Sequence, residues 1–170
     1  MASLIEELID VLEKENTEYE ELLKLSNEKT GIIIKDDIDA LNGMIEKEQV
    51  HLDRIVNYEN KRIEITGDMA VVLNKDVNTL TVKGIVELLS GQKKEQERLS
   101  LIHDKLKKTL ERVQTVNEMN KGLIEESLEL IDFNINYLNG LSQVPETANY
   151  NKNAYNQDSG MGISQFDAKN

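Results

Sequence analysis

The chain is 170 residues long, and its formal net charge of −12 argues against nucleic acid or an anionic membrane surface as a partner, because both attract Lys and Arg. Cysteine is absent, which excludes disulfides and thiolate chemistry and fits a reducing compartment. The start, Met1-Ala2-Ser3-Leu4, has neither the basic region nor the apolar core of a signal peptide, and no apolar run approaches the ~20 residues of a membrane span, so no membrane insertion is expected.

Ser3 and Glu6 have the spacing of a capping box, in which each side chain satisfies the other residue's free backbone N–H. The first helix is expected to run to about Lys29, with Leu4, Leu8, Leu12, Tyr19, Leu22 and Leu25 or Ser26 on its inner side. Gly31 is the expected stop, and Ile32 to Ile34 pack across the turn. Asp36 is read as the cap of the second helix, with Asp39 in its first turn, where a carboxylate favours the positive dipole end. Ile38, Leu41, Ile45, Leu52, Ile55 and Ile63 form its expected inner stripe, interrupted by Glu48 and Gln49. That helix extends to Thr66, or on to Leu73 with an irregularity at Gly67.

Asn74, Asp76 and Asn78 mark a loop. Thr79 or Thr81 caps a short helix containing Ile85, Val86, Leu88 and Leu89, and Ser90-Gly91 breaks the chain before the last helix, unless one helix continues from Val82. The last helix is expected from about Gln92 to Leu138, where Asn139-Gly140 ends it. Its seam is Leu99, Ile102, Leu106, Leu110, Val113 and Val116; it crosses polar Asn120 and resumes at Ile124, Leu128, Ile131, Ile135 and Leu138. The steps of four from Val116 to Leu128 read as a stutter, which locally unwinds a supercoil.

Beyond Asn120 a second apolar row appears at Leu123, Leu130, Tyr137 and Leu141, with Phe133 beside it. The two rows cover about half of the helix circumference, whereas a bundle helix typically needs an apolar arc of about 100°. The surplus face has three readings: a partner-binding surface, a homodimer seam, or a more central helix. The polar breaks Asn117, Asn120 and Asn134 either fix register in a coiled coil or mark where a partner supplies hydrogen bonds. In an antiparallel arrangement the row from Ile124 to Leu138 is expected to face the first two helices, near their turn, leaving the second row at the edge, unless the drift of the seam at Asn117–Asn120 reverses the two rows.

The chain is therefore read as all-α: an elongated antiparallel bundle of three long helices plus one short helix, with a disordered C-terminal tail. Its domains are a helical bundle, 1–141, and a polar segment, 142–170, too poor in apolar residues to offset its ordering entropy. Tyr150, Tyr155 and Phe166 in that tail are either docking anchors or part of an inert solubilising segment.

Glu48 and His51 have the Glu-x-x-His spacing that di-metal bundles use, but such sites need a second copy of the motif, and His103 has Ser100 in place of the carboxylate. Gly160-Met161-Gly162 follows no strand and opens no helix, so it is no phosphate loop. No catalytic residue, metal site or cofactor is expected.

Asn117, Asn120, Leu123, Ile124, Ser127, Leu128, Ile131 and Phe133 are spaced as in the C-terminal helix of the FlgN family of flagellar export chaperones, which this chain resembles. The Glu48-Gln49 pair and the ending, Tyr155 ahead of Gly160 and then Phe166-Asp167-Ala168-Lys169, are similar to that family too; Asn170 departs from it. The resemblance implies a cytoplasmic, non-enzymatic protein that binds hook-associated proteins through their C-terminal helical segments. It would hold them apart before secretion and deliver them to the flagellar export apparatus. The residues placed at such a client site are Leu123, Leu130, Phe133, Tyr137 and Leu141, with polar Asn120, Ser127 and Asn134 among them. The competing reading is a non-secretory coiled-coil scaffold that homodimerises through the same face.

Overall fold

The computed structural model describes residues 2–89 and 91–142. Its helices are α1 (Ala2–Ile34), α2 (Ile38–Leu73), α3 (Val82–Leu88) and α4 (Lys93–Ser142), and no strand occurs among the described residues. The chain divides into two compact units, Met1–Ile131 and Asp132–Asn170. In the second unit the described residues are the last turns of α4; the expected tail lies, from residue 143 onward, outside the described residues.

In the first unit α1 and α2 form an antiparallel hairpin. Their cross-links run in opposite order along the two helices: Glu15 to Arg62, Glu18 to His51, and Ser26 and Lys29 to Glu48. α4 returns parallel to α1, joined by Glu6–Arg98, Asn16–Thr109 and Thr30–Asn120. The expected all-α bundle of three long helices and one short one is the observed fold.

Hydrophobic burial is concentrated where α1 begins. Ile5, Leu8, Ile9 and Leu12 pack with Ile65 and Met69 of α2, Ile85 of α3, and Leu99, Ile102 and Leu106 of α4. α3 closes this end: Thr81 Oγ1 accepts from the Gly84 N–H at 3.0 Å, which fixes the start of the helix and points Ile85 inward. A smaller cluster, Leu22, Ile55 and Val113, follows further along. Toward the α1–α2 turn the interior becomes polar, with Ser26, Glu48 and Asn120 buried.

Several local expectations are corrected. Gly31 lies inside α1, which continues to Ile34; the stop is Asp36, in the left-handed region at φ 53°. The Asp37 N–H bonds back to Ile32 O and the Asp36 N–H to Ile33 O, the paired closure of a helix C-terminus that a short polar residue tolerates in place of glycine. Asp37, not Asp36, then caps α2 by accepting from the Ala40 N–H at 2.9 Å. Asn74 ends α2 in the same left-handed way, and α2 runs unbroken through Gly67. Gly140 does not end α4, which continues to Ser142. The capping box is absent: Ser3 Oγ donates to Glu7, and Glu6 accepts from Arg98.

The inner stripe of α2 is also displaced. Met44, Glu48, Ile55, Ile65, Met69 and Ala70 are buried, whereas Ile38, Ile45, Leu52 and Ile63 face outward. On α4 the seam holds at Leu99, Ile102, Leu106 and Val113, but Leu110 reaches the surface and Thr109 is buried in its place.

Candidate functional site

The apolar surface of α4 begins where α1 stops covering it. Asn120 is 2% exposed; its Nδ2 donates to Ser26 O at 2.8 Å and its Oδ1 accepts from Thr30 Oγ1 at 2.6 Å. Since α1 ends at Ile34, about one turn after Thr30, the parallel α4 has little of α1 left to pack on. Leu123 and Ser127 are half-buried. Ile124, Ser127, Leu128 and Ile131 line a shallow hollow of about 100 Å³ with Ile32, Ile33, Ile38 and Leu41. Ile124, Leu128 and Ile131 of the first row thus border the α1–α2 turn, yet Leu128 and Ile131 stay half open, so the turn does not bury them.

Leu130 of the first unit is 61% exposed. In the second unit Phe133 and Tyr137 are 65% and 59% exposed, and Asn134, Ile135, Leu138 and Leu141 also face solvent. Acidic side chains flank both rows: Glu125, Glu126 and Glu129 in the first unit, Asp132 in the second. Large apolar groups exposed at this density mark an interaction surface more often than an inert one. Of the predicted client-binding residues, Leu123, Ser127, Leu130, Phe133, Asn134, Tyr137 and Leu141 are accessible, whereas Asn120 is committed to α1. Tyr150, Tyr155 and Phe166 lie outside the described residues.

The Glu-x-x-His pair is part of the α1–α2 interface. Glu48 accepts from Lys29 Nζ at 2.7 Å and Ser26 Oγ at 3.3 Å, and His51 Nδ1 sits 2.6 Å from Glu18 Oε2. Deeper in, Glu15 is buried beside Arg62; burial raises its pKa above the ordinary carboxylate value, with Arg62 opposing. Among the described residues no group of three His, Asp or Glu is arranged to hold a metal. No described helix is long and apolar enough to cross a membrane.

Sequence reasoning missed the outward stripe of α2, since it placed those residues in the core. The available signal was Glu48: a helix whose most regular apolar row is exposed must bury something else, and Glu48 has partners across the turn.

A family model described as FlgN protein matches residues 1–158. A protein of Bacillus subtilis (strain 168), Uncharacterized protein YvyG, is 30% identical over 144 residues, covering 85% of this chain and 83% of that relative. No solved structure matches significantly. With the family match spanning nearly the whole chain and the helical bundle in place, the chain belongs to the FlgN family, which is one of flagellar export chaperones.

Proposed function

We propose that this chain is a cytoplasmic chaperone, without catalysis, that binds hook-associated proteins before their export. The observation that carries this reading is the exposed apolar face of α4 after Asn120, on a chain whose net charge of −12 keeps it soluble while displaying that face. A client whose terminal amphipathic helix later packs into a filament has an apolar stripe to cover, and helix-to-helix docking covers it. Leu123, Leu130, Phe133, Tyr137 and Leu141 are its anchors, with Ser127 and Asn134 as polar contacts. Fully burying one such side chain contributes roughly 1.5–3 kcal/mol before ordering costs, so a few anchors give a releasable complex. Tyr150, Tyr155 and Phe166 are the docking anchors for the export apparatus.

The test is titration calorimetry of the full chain with purified hook-associated proteins of the same cell. Wild type is expected to bind, and Leu130→Ala with Tyr137→Ala to weaken binding at least tenfold. Truncation after Ser142 is expected to keep binding while lowering export. Absence of binding, together with a concentration-dependent dimer that Leu130→Ala with Tyr137→Ala dissolves, would instead establish the homodimeric scaffold.

A further inference from the structure

α2 displays an apolar stripe that the bundle leaves outside. Ile38, Ile45, Leu52, Val56 and Ile63 recur at steps of seven, seven, four and seven, so at about 100° per residue they fall within roughly 40° of arc. They are 40–65% exposed. Single exposed apolar residues are ordinary, but five in line over about 37 Å of helix form a seam. Leu52 also borders a groove of about 480 Å³ whose other wall is Asn117, Lys121 and Ile124 of α4.

The charges beside the stripe are one-sided. Asp39, Glu46, Asp53 and Glu64 run along one flank, with Asn or Gln at 42, 49, 57 and 60 between them, and all four carboxylates are exposed. None has a cationic partner among the described residues. Lys47, Arg54 and Lys61 lie beyond that row, on the side of it away from the stripe, and Arg54 and Arg62 are turned to Glu18 and Glu15 of α1. Lys29 and Lys121 line the groove at Leu52 but pair with Glu48 and Glu125, so the carboxylate row keeps no cation of its own, and a seam so flanked selects a complementary helix, as flanking charges do in coiled coils.

We propose that this face of α2 docks an amphipathic helix of another protein whose apolar stripe is flanked by Lys or Arg. A second copy of the chain does not complement it. Antiparallel pairing of this face sets the acidic row against itself, and parallel pairing sets it against the flank carrying Glu59, where Arg62 is already paired with Glu59 and Glu15; neither brings a free cation. Residues 143–170 do not complement it either, having Lys152 and Lys169 against Glu146, Asp158 and Asp167 and no apolar period. This site does not rest on the client site of α4.

The full chain is titrated, by fluorescence anisotropy, with a designed helical peptide of about three heptads carrying Leu in its seam and Lys on its flanks, and with a twin carrying Glu flanks. The Lys peptide binds at least tenfold tighter than its twin. Ile45→Ser with Val56→Ser, which leaves the charge unchanged, weakens it at least tenfold, whereas Leu130→Ala with Tyr137→Ala does not. Glu46→Lys with Asp53→Lys inverts the preference between the two peptides. Circular dichroism verifies that each variant is as helical as wild type. Equal binding of the Lys peptide to wild type and to Ile45→Ser with Val56→Ser would overturn the proposal, leaving only general attraction to an acidic chain. A concentration-dependent dimer abolished by that variant would overturn it in favour of a second copy.

Discussion

Asn120 satisfies both ends of its amide across the α1–α4 interface, donating to Ser26 and accepting from Thr30. Removing this buried group loses both bonds and leaves a void that the Thr30–Ser26 contact does not fill, so Asn120→Ala is expected to lower stability by about 1–3 kcal/mol in urea unfolding while leaving client affinity unchanged. That outcome would separate Asn120 from exposed Asn117 and Asn134, which the sequence presents as equivalent breaks. Glu15 makes a different prediction, because its pKa is raised, first by burial. The folded chain therefore takes up the Glu15 proton at a higher pH than the unfolded chain does. At neutral pH the buried charge costs stability; as pH falls through the raised value that cost is relieved, fully so below the ordinary carboxylate value. Glu15→Gln is thus expected to exceed wild type in urea midpoint at pH 7, with the gap narrowing on acidification through that window. A gap that stays constant would assign the difference to packing.

At the level of elements, the helices were legible, as were the end of α2 at Leu73 and the Thr81 cap of α3, while the ends of α1 and α4 were not. The apolar steps along Leu99, Ile102, Leu106 and Val113 identify α4 because a dry core rewards one strict period. The stop of α1 went to Asp36 in place of Gly31 because a left-handed closure is decided by which backbone groups pair, and a short polar residue tolerates it. Gly31 has open space where a Cβ would stand. Gly31→Ala is accordingly expected to raise stability by about 0.5–1 kcal/mol, whereas Asp36→Ala lowers it by about 1 kcal/mol. Thermal or urea midpoints shifting in the same direction for both would contradict the assigned stop. The register of α2 was lost for another reason. Opposite it α1 offers Glu15, Glu18, Ser26 and Lys29, so Arg62, His51 and Glu48 turn inward to meet them, and the regular apolar row is left outside. Hydrophobic periodicity cannot locate the inner face of a helix whose neighbour is polar.

Across the molecule the consequence is a division of labour along α4. Its first half is held by the apolar cluster around Leu99, its middle by Thr109 and Asn120, and its residues from Leu128 to Leu141 are exposed. The candidate site was legible as a surplus of apolar residues after Asn120; which row a bundle would cover was not, because that depends on where α1 ends. With α1 ending at Ile34, Leu128, Leu130 and Ile131 of the first unit are left exposed. Truncations should then separate folding from binding. Leu99→Ala removes a fully buried side chain and is expected to cost about 2–5 kcal/mol with client affinity retained at temperatures where the variant is folded. Leu130→Ala with Tyr137→Ala should leave the thermal midpoint nearly unchanged, and Ile131→Ala, half exposed, should cost well under the Leu99 value. Hydrogen exchange supplies the independent check. Amides around Leu99 to Val113 are expected to exchange only through global unfolding, and those from Leu128 to Leu141 through local opening that client binding suppresses. If the Leu128–Leu141 amides are as protected in the free chain as those near Leu99, that face is already covered in solution, and the client must bind elsewhere.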